Sequence, residues 1–143
     1  MKLLHFSRII LITIVFILFS SNCKKNETVP NVSVDFTLEL NSVDYTALGS
    51  IGGWVYITGG AYNNGIIIYK RTNDEYKAYD RTCTYKPSSS CRVTVESSGI
   101  IAVDSCCGSK FILTDGSVNQ KPATAPLKEY HTSLSGTTLH IYN

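Results

Sequence analysis

The feature that most constrains this chain is a group of cysteines in its second half. Of the 5 cysteines, Cys83, Cys91, Cys106 and Cys107 fall within one stretch, and Cys23 stands alone near the N-terminus. Four neighbouring cysteines indicate cross-links. They are typical of disulfides in an oxidising compartment and of a metal site in the cytosol. The interpretation therefore depends on where the chain resides.

The N-terminus predicts export. A short basic segment with Lys2 and Arg8 precedes an apolar run over residues 9–19. This run suits the apolar core of a secretory signal and is shorter than the roughly 20 residues of a membrane span. Cys23 follows, and the pattern resembles a bacterial lipoprotein signal, in which the cysteine is acylated and becomes the first mature residue. Asn22 replaces the usual small residue before the cysteine, as in the looser motifs of the Bacteroidetes.

The resemblance to a lipoprotein divides the chain into three segments. Residues 1–22 form the signal peptide, residues 23–33 a lipidated tether, and residues 34–143 one domain. The chain is then exported and lipid-anchored to the bacterial outer membrane, on its periplasmic or surface face. The alternative is an uncleaved N-terminal anchor. We expect the membrane to be its partner through the anchor, and the domain to be a monomer.

The charge of the mature chain argues against nucleic acid as a partner. Two of the 13 basic residues, Lys2 and Arg8, belong to the signal, which leaves 11 against 11 acidic residues. A neutral domain without a basic run lacks the phosphate-binding charge that nucleic-acid binders need.

The pattern after the tether predicts an all-β domain. Residues 34–40 alternate apolar and polar side chains, as a half-buried strand does, and residues 65–70 form the β-branched run of a fully buried strand. Residues 41–53 and 121–126 are predicted to be irregular. Further strands are predicted at residues 54–58, 76–80, 92–96, 100–103, 111–113, 127–133 and 138–142. Many short strands favour a small antiparallel β-sandwich or barrel.

The cysteine-rich stretch carries a family resemblance. Residues 106–111 (CCGSKF), a following DG turn, residues 121–123 (KPA) and residues 126–127 (PL) resemble the second half of a Rieske iron–sulfur domain, whose loop is C-P-x-H-G-S-x-F. Residues 83–85 (CTY) resemble the first loop, C-x-H. The likeness covers about residues 54–142 and retains the family's loop residues as Gly108, Ser109 and Pro122. It implies a small Rieske-like β fold and, in intact members, electron transfer through a [2Fe–2S] cluster.

The departures from the family weaken the expectation of a cluster. A Rieske cluster takes two thiolates on one iron and two imidazoles on the other. The resemblance places the four ligand positions at Cys83, Tyr85, Asp104 and Cys107, and only the first retains the family's residue. The three histidines lie outside both loops, at His5, His131 and His140. We therefore expect no cofactor and no metal.

Disulfides are the expected replacement. A two-residue turn at Ser98 and Gly99 would place Cys91 opposite Cys106, within reach of disulfide geometry, although the register can shift by one. The remaining pair, Cys83 with Cys107, would join the two loops where the family has its iron. The pairing of Cys83 with Cys106 and of Cys91 with Cys107 stays open.

Two functions of different class follow. The favoured one is a non-enzymatic binding or structural lipoprotein whose cluster is replaced by disulfides. The alternative is an electron-transfer protein with a divergent [2Fe–2S] cluster. A metal site built from all four thiols and a redox-active Cys83–Cys107 disulfide are less favoured. No spacing of serine or cysteine with histidine indicates an enzyme.

Overall fold

A computed structural model of the protein describes residues 27–88 and 91–143. Over these residues the chain forms strands in two antiparallel sheets, so the predicted all-β fold is confirmed. The strands are β1 Asp35–Glu39, β2 Trp54–Ile57, β3 Ile66–Lys70, β4 Tyr76–Asp80, β5 Thr94–Val95, β6 Ile101–Val103, β7 Lys110–Ile112, β8 Val118–Gln120, β9 Glu129–Ser135 and β10 Thr138–Tyr142. The predicted signal peptide and Cys23 lie outside the described residues. Within the described ranges no helix is long and apolar enough to cross a membrane.

The larger sheet has six strands in the order β1-β10-β9-β4-β3-β2. Strand β3, which lies between β4 and the edge strand β2, is rich in isoleucine and buried on both faces. Ile66 and Ile68 point into one hydrophobic core, and Ile67 and Tyr69 into a second. Because successive side chains of a strand face opposite sides, a continuous apolar run is what such a shared strand requires.

The smaller sheet has four strands in the order β5-β6-β7-β8. Strands β5 and β6 form the predicted hairpin, and Val95 pairs with Ala102, as a turn at Ser98 and Gly99 requires. Gly99 has a φ of 72°, a left-handed conformation that glycine adopts at little cost. The buried Phe111 of β7 packs in the second core and so joins this sheet to it.

Some local structure differs from the prediction. The predicted loop at residues 41–53 contains a 3₁₀ helix, Val43–Gly49, whose Ser42 side chain accepts a hydrogen bond from the backbone of Asp44. Strand β8 was not predicted, because its residues alternate weakly and the strand is short. A second short 3₁₀ helix, Ala61–Asn63, follows β2.

The described part of the predicted tether contacts the domain. The Lys128 amine donates to the carbonyl of Pro30 at 2.7 Å, and the Ser88 hydroxyl donates to Glu27 at 2.7 Å. Val32 packs against the first core. Residues 27–33 therefore lie along the domain surface.

Candidate functional site

A disulfide closes the open end of the β5–β6 hairpin. Cys91 and Cys106 are bonded, with their Cα atoms 6.2 Å apart, as the predicted register requires. The hairpin register places these cysteines opposite each other, three residue pairs beyond the strands. The bond therefore fixes the start of the loop that carries Cys107.

The predicted Cys83–Cys107 disulfide is not formed in this structure. The two sulfur atoms lie 3.8 Å apart, which is a contact between unbonded atoms. Cys107 Sγ instead lies 3.1 Å from Asp104 Oδ2 and 3.0 Å from Ser109 Oγ. These two oxygens hold the sulfur beside Cys83 without a covalent bond.

Asp104 organises the second cysteine loop. Its Oδ1 accepts a hydrogen bond from the backbone N–H of Cys106 at 2.8 Å, and its Oδ2 faces the thiol of Cys107. Burial alone would raise the pKa of this carboxyl, but hydrogen bonds from Cys83, Cys106 and Cys107 outweigh burial and hold the pKa below its usual range. For Cys83, burial raises the pKa of the thiol, and the contact with Asp104 raises it further. The carboxylate is thus ionised beside the protonated thiol of Cys83.

The backbone of this loop is a tight turn. Asp104 N–H donates to the carbonyl of Ser109 at 2.9 Å, and Gly108 N–H donates to the carbonyl of Asp104 at 2.7 Å. Gly108 has a φ of 77°, which explains the glycine. The buried Ser109 hydroxyl accepts a hydrogen bond from Ala123 N–H at 2.9 Å, so it ties the turn to the loop that contains Pro122.

A cleft of about 430 Å³ opens over the cysteines. Its walls include Tyr85, Pro122, Asp104 and Cys107. The ring of Tyr85 is 42% exposed and has the Lys86 amine 5.5 Å from its centre. Of the four positions that the resemblance singled out, three converge: donor atoms of Cys83, Asp104 and Cys107 lie within 4.8 Å of one another. Tyr85 stands at the rim.

A structural comparison identifies the fold. The plasma-membrane Rieske protein PetC3 of the cyanobacterium Synechocystis PCC 6803 matches with a TM-score of 0.52 and 23% sequence identity, over 78% of this chain and 98% of that protein. The domain has a Rieske-like fold. A ferredoxin of Sphingomonas yanoikuyae B1 matches with a TM-score of 0.46 at 16% identity, over 68% of this chain and 93% of its own. Neither a protein-family model nor a curated protein matches this chain.

The donor atoms do not fit the cluster that a Rieske-like fold implies. That cluster needs two thiolates on one iron and two imidazoles on the other. Here the converging donors are two thiols and one carboxylate, and they surround one point. The two histidines among the described residues, His131 and His140, lie in β9 and β10 and flank the ring of Tyr142.

A second buried carboxylate, to which sequence analysis assigned no role, belongs to Asp80, three residues before Cys83 in the chain. Asp80, at the end of β4, accepts hydrogen bonds from Ala61 N–H at 2.6 Å, from Thr82 N–H at 2.8 Å and from the Tyr130 hydroxyl at 2.6 Å. Burial raises the pKa of Tyr130, and its bond to Asp80 raises it further. The network holds the chain just before Cys83. An aspartate at the end of a buried strand was the one available sequence signal.

Proposed function

We propose that this chain is an exported lipoprotein, anchored to the outer membrane through acylated Cys23, whose Rieske-like domain is a non-enzymatic binding or structural module. The observation that carries the proposal is the Cys91–Cys106 disulfide beside a donor set that cannot hold a Rieske cluster. The disulfide fixes a loop that the cluster would otherwise hold. The domain keeps the fold without the electron carrier.

The energetics support this role. A cross-link between residues separated by 15 positions stabilises a fold by about 3 kcal/mol on the chain-entropy model. A buried hydrogen bond from Ala123 to Ser109 and a partly buried one from Cys106 to Asp104 hold the same loop. Together these contacts fix the loop that forms the wall of the cleft at Asp104 and Cys107.

Binding is favoured over catalysis by the bases available at the cleft. A catalytic serine or cysteine needs an effective base within hydrogen-bond reach. Among the described residues, Ser109 and Cys107 have no imidazole beside them, and Asp104, which contacts Cys107, is a weak base because its pKa is held below the usual range. The sequence pattern around Cys23 supports the membrane anchor.

The experiment is to express the full chain in a bacterium and compare it with Cys23→Ala. We expect the unaltered chain in the membrane fraction, with a mass that begins at Cys23 and carries acyl groups, and the variant without them. We also expect the purified chain to lack iron-dependent visible absorption. An unacylated chain would refute the anchor, and an absorption that dithionite bleaches would restore the electron-transfer alternative.

A further inference from the structure

Three side chains near the cleft are arranged as a metal-binding site of a different kind. Cys83 belongs to the first loop, and Asp104 and Cys107 belong to the second. Their donor atoms lie within 4.8 Å of one another, and both Cys83 and Asp104 are at most 2% exposed. Cys107 is partly buried, so two thiols and a carboxylate, which are all groups that bind metal ions, meet at one place below the surface.

The sulfur separation matches a single tetrahedral ion. Two thiolates bound to one zinc, each at about 2.3 Å, are about 3.8 Å apart across the tetrahedral angle. The Cys83 and Cys107 sulfurs are 3.8 Å apart. A disulfide would require about 2.0 Å, and the sulfurs would have to leave their present contacts to reach it.

The mixture of donors selects the ion. Two thiolates with one carboxylate suit Zn²⁺, which accepts both sulfur and oxygen ligands. Monovalent copper favours sulfur alone, and Ca²⁺ and Mg²⁺ require oxygen ligands. A nearby group of Cys91, Asp104 and Cys106 cannot serve, because its two cysteines are bonded to each other.

The surroundings would orient the ligands of such an ion. The N–H of Cys106 donates to Asp104 Oδ1, which leaves Oδ2 directed at Cys107. The N–H of Ser109 donates to Cys107 Sγ at 3.5 Å. Outer contacts of this kind fix the direction of metal ligands. The cleft leaves the partly exposed Cys107 accessible, so a fourth position is open to solvent.

We propose that Cys83, Asp104 and Cys107 bind one Zn²⁺, with solvent from the cleft as the fourth ligand. The ion joins the two loops. Binding converts both thiols to thiolates and releases their two protons to solvent, while no electron is transferred. The site deepens the structural role proposed above for these loops, but it does not depend on the lipid anchor, so loss of acylation and loss of zinc are separate results.

The test is metal binding by the full chain, produced with its export signal and purified anaerobically in detergent. After removal of metal with a chelator, the chain is titrated with Zn²⁺, and with Co²⁺ as a coloured substitute. We expect one zinc per chain and a thiolate-to-cobalt charge-transfer band. Zinc is also expected to protect Cys83 and Cys107 from alkylation.

Three variants locate the site. Cys83→Ser, Cys107→Ser and Asp104→Asn should each weaken zinc binding at least about 10-fold, which is the effect of losing even an outer contact. The matched control Asp115→Asn changes an exposed turn aspartate and should bind as the unaltered chain does. Circular dichroism would check that each variant is folded.

The proposal is overturned if the folded, reduced chain binds no zinc or forms a Cys83–Cys107 disulfide that zinc does not prevent. It is also overturned if Asp104→Asn binds as tightly as the unaltered chain. Two metal ions per chain would contradict the single-ion geometry.

Discussion

Two buried aspartates occupy neighbouring parts of this domain, and their carboxylates meet different hydrogen-bond donors. Asp80 is fully buried and accepts hydrogen bonds from two backbone N–H groups and a tyrosine hydroxyl. Asp104 is 2% exposed and accepts one backbone N–H, while its other oxygen faces thiols. Thiols are weak donors, so the second carboxylate has fewer strong donors than the first.

This difference in hydrogen-bond donors distinguishes a structural aspartate from a candidate metal ligand. A buried charge is tolerated when strong donors surround it, and Asp80 meets that condition with protein groups alone. Asp104 has one strong donor, the N–H of Cys106, and its Oδ2 points toward the cysteine pair below the cleft, where its partners are thiols. Of the two aspartates, the one with fewer strong protein donors is therefore the candidate ligand.

The largest expected effect is that of Asp80→Asn. An amide offers one acceptor, but both Asp80 oxygens accept from donors, so the new N–H₂ group would face a donor wherever it points. Because unsatisfied buried groups cost about 1–3 kcal/mol each, we expect the free energy of unfolding to fall by about 4 kcal/mol. Urea denaturation followed by fluorescence of the single tryptophan, Trp54, measures it.

The control for this change is Asp74→Asn, an exposed aspartate in the turn between β3 and β4. It should leave the free energy of unfolding within about 0.5 kcal/mol of the unaltered chain. A loss below about 1 kcal/mol in Asp80→Asn would mean that its donors are not essential, and the comparison of the two carboxylates would fail.

The second largest expected effect on stability is the loss of the Cys91–Cys106 disulfide, which supports the loop that contains Asp104. Replacing Cys91 and Cys106 together by serine removes a cross-link over 15 positions, which should lower the free energy of unfolding by about 3 kcal/mol. The same denaturation experiment measures the loss, and reduction of the unaltered chain should reproduce it. If both leave the unfolding midpoint unchanged, the loop is held by its hydrogen bonds alone.

Sequence patterns predicted local structure well because strands and turns depend on neighbouring residues. The β5–β6 register followed from the turn at Ser98 and Gly99, and β10 matches its predicted range. The role of Asp80 depends on Tyr130, which is 50 positions away, and no local pattern indicates that contact. Asp104 was interpreted only as a lost cluster ligand.

The cysteine pairing shows a similar limit. An even number of cysteines predicted two disulfides, and one of them is present between Cys91 and Cys106. The number of cysteines does not reveal that the sulfur of Cys107 contacts the side-chain oxygens of Asp104 and Ser109. Only the folded loop brings these groups together, because their contacts depend on the turn at Gly108.

Two buried tyrosines provide a smaller, matched test of the Asp80 network. Tyr130→Phe removes one donor to a buried carboxylate and should lower the free energy of unfolding by about 2 kcal/mol. Tyr79 is equally buried, but its hydroxyl has no hydrogen-bond partner among the described residues. Tyr79→Phe should therefore raise the free energy of unfolding by about 1 kcal/mol. Equal losses in both variants would show that packing of the rings, and not the bond to Asp80, determines the result.

The smallest expected change in stability is that of Asp104→Asn in the chelator-treated, metal-free chain. The amide oxygen can still accept from Cys106 N–H, and the new N–H₂ group can donate to the sulfur of Cys107. Since no strong donor is left facing another donor, we expect a loss of only about 1 kcal/mol in the urea experiment. With zinc added, the gap between this variant and the unaltered chain should widen, because only the latter keeps the full set of ligands. A loss as large as that of Asp80→Asn without metal would make Asp104 a structural residue of the same kind, and the distinction between the two carboxylates would disappear.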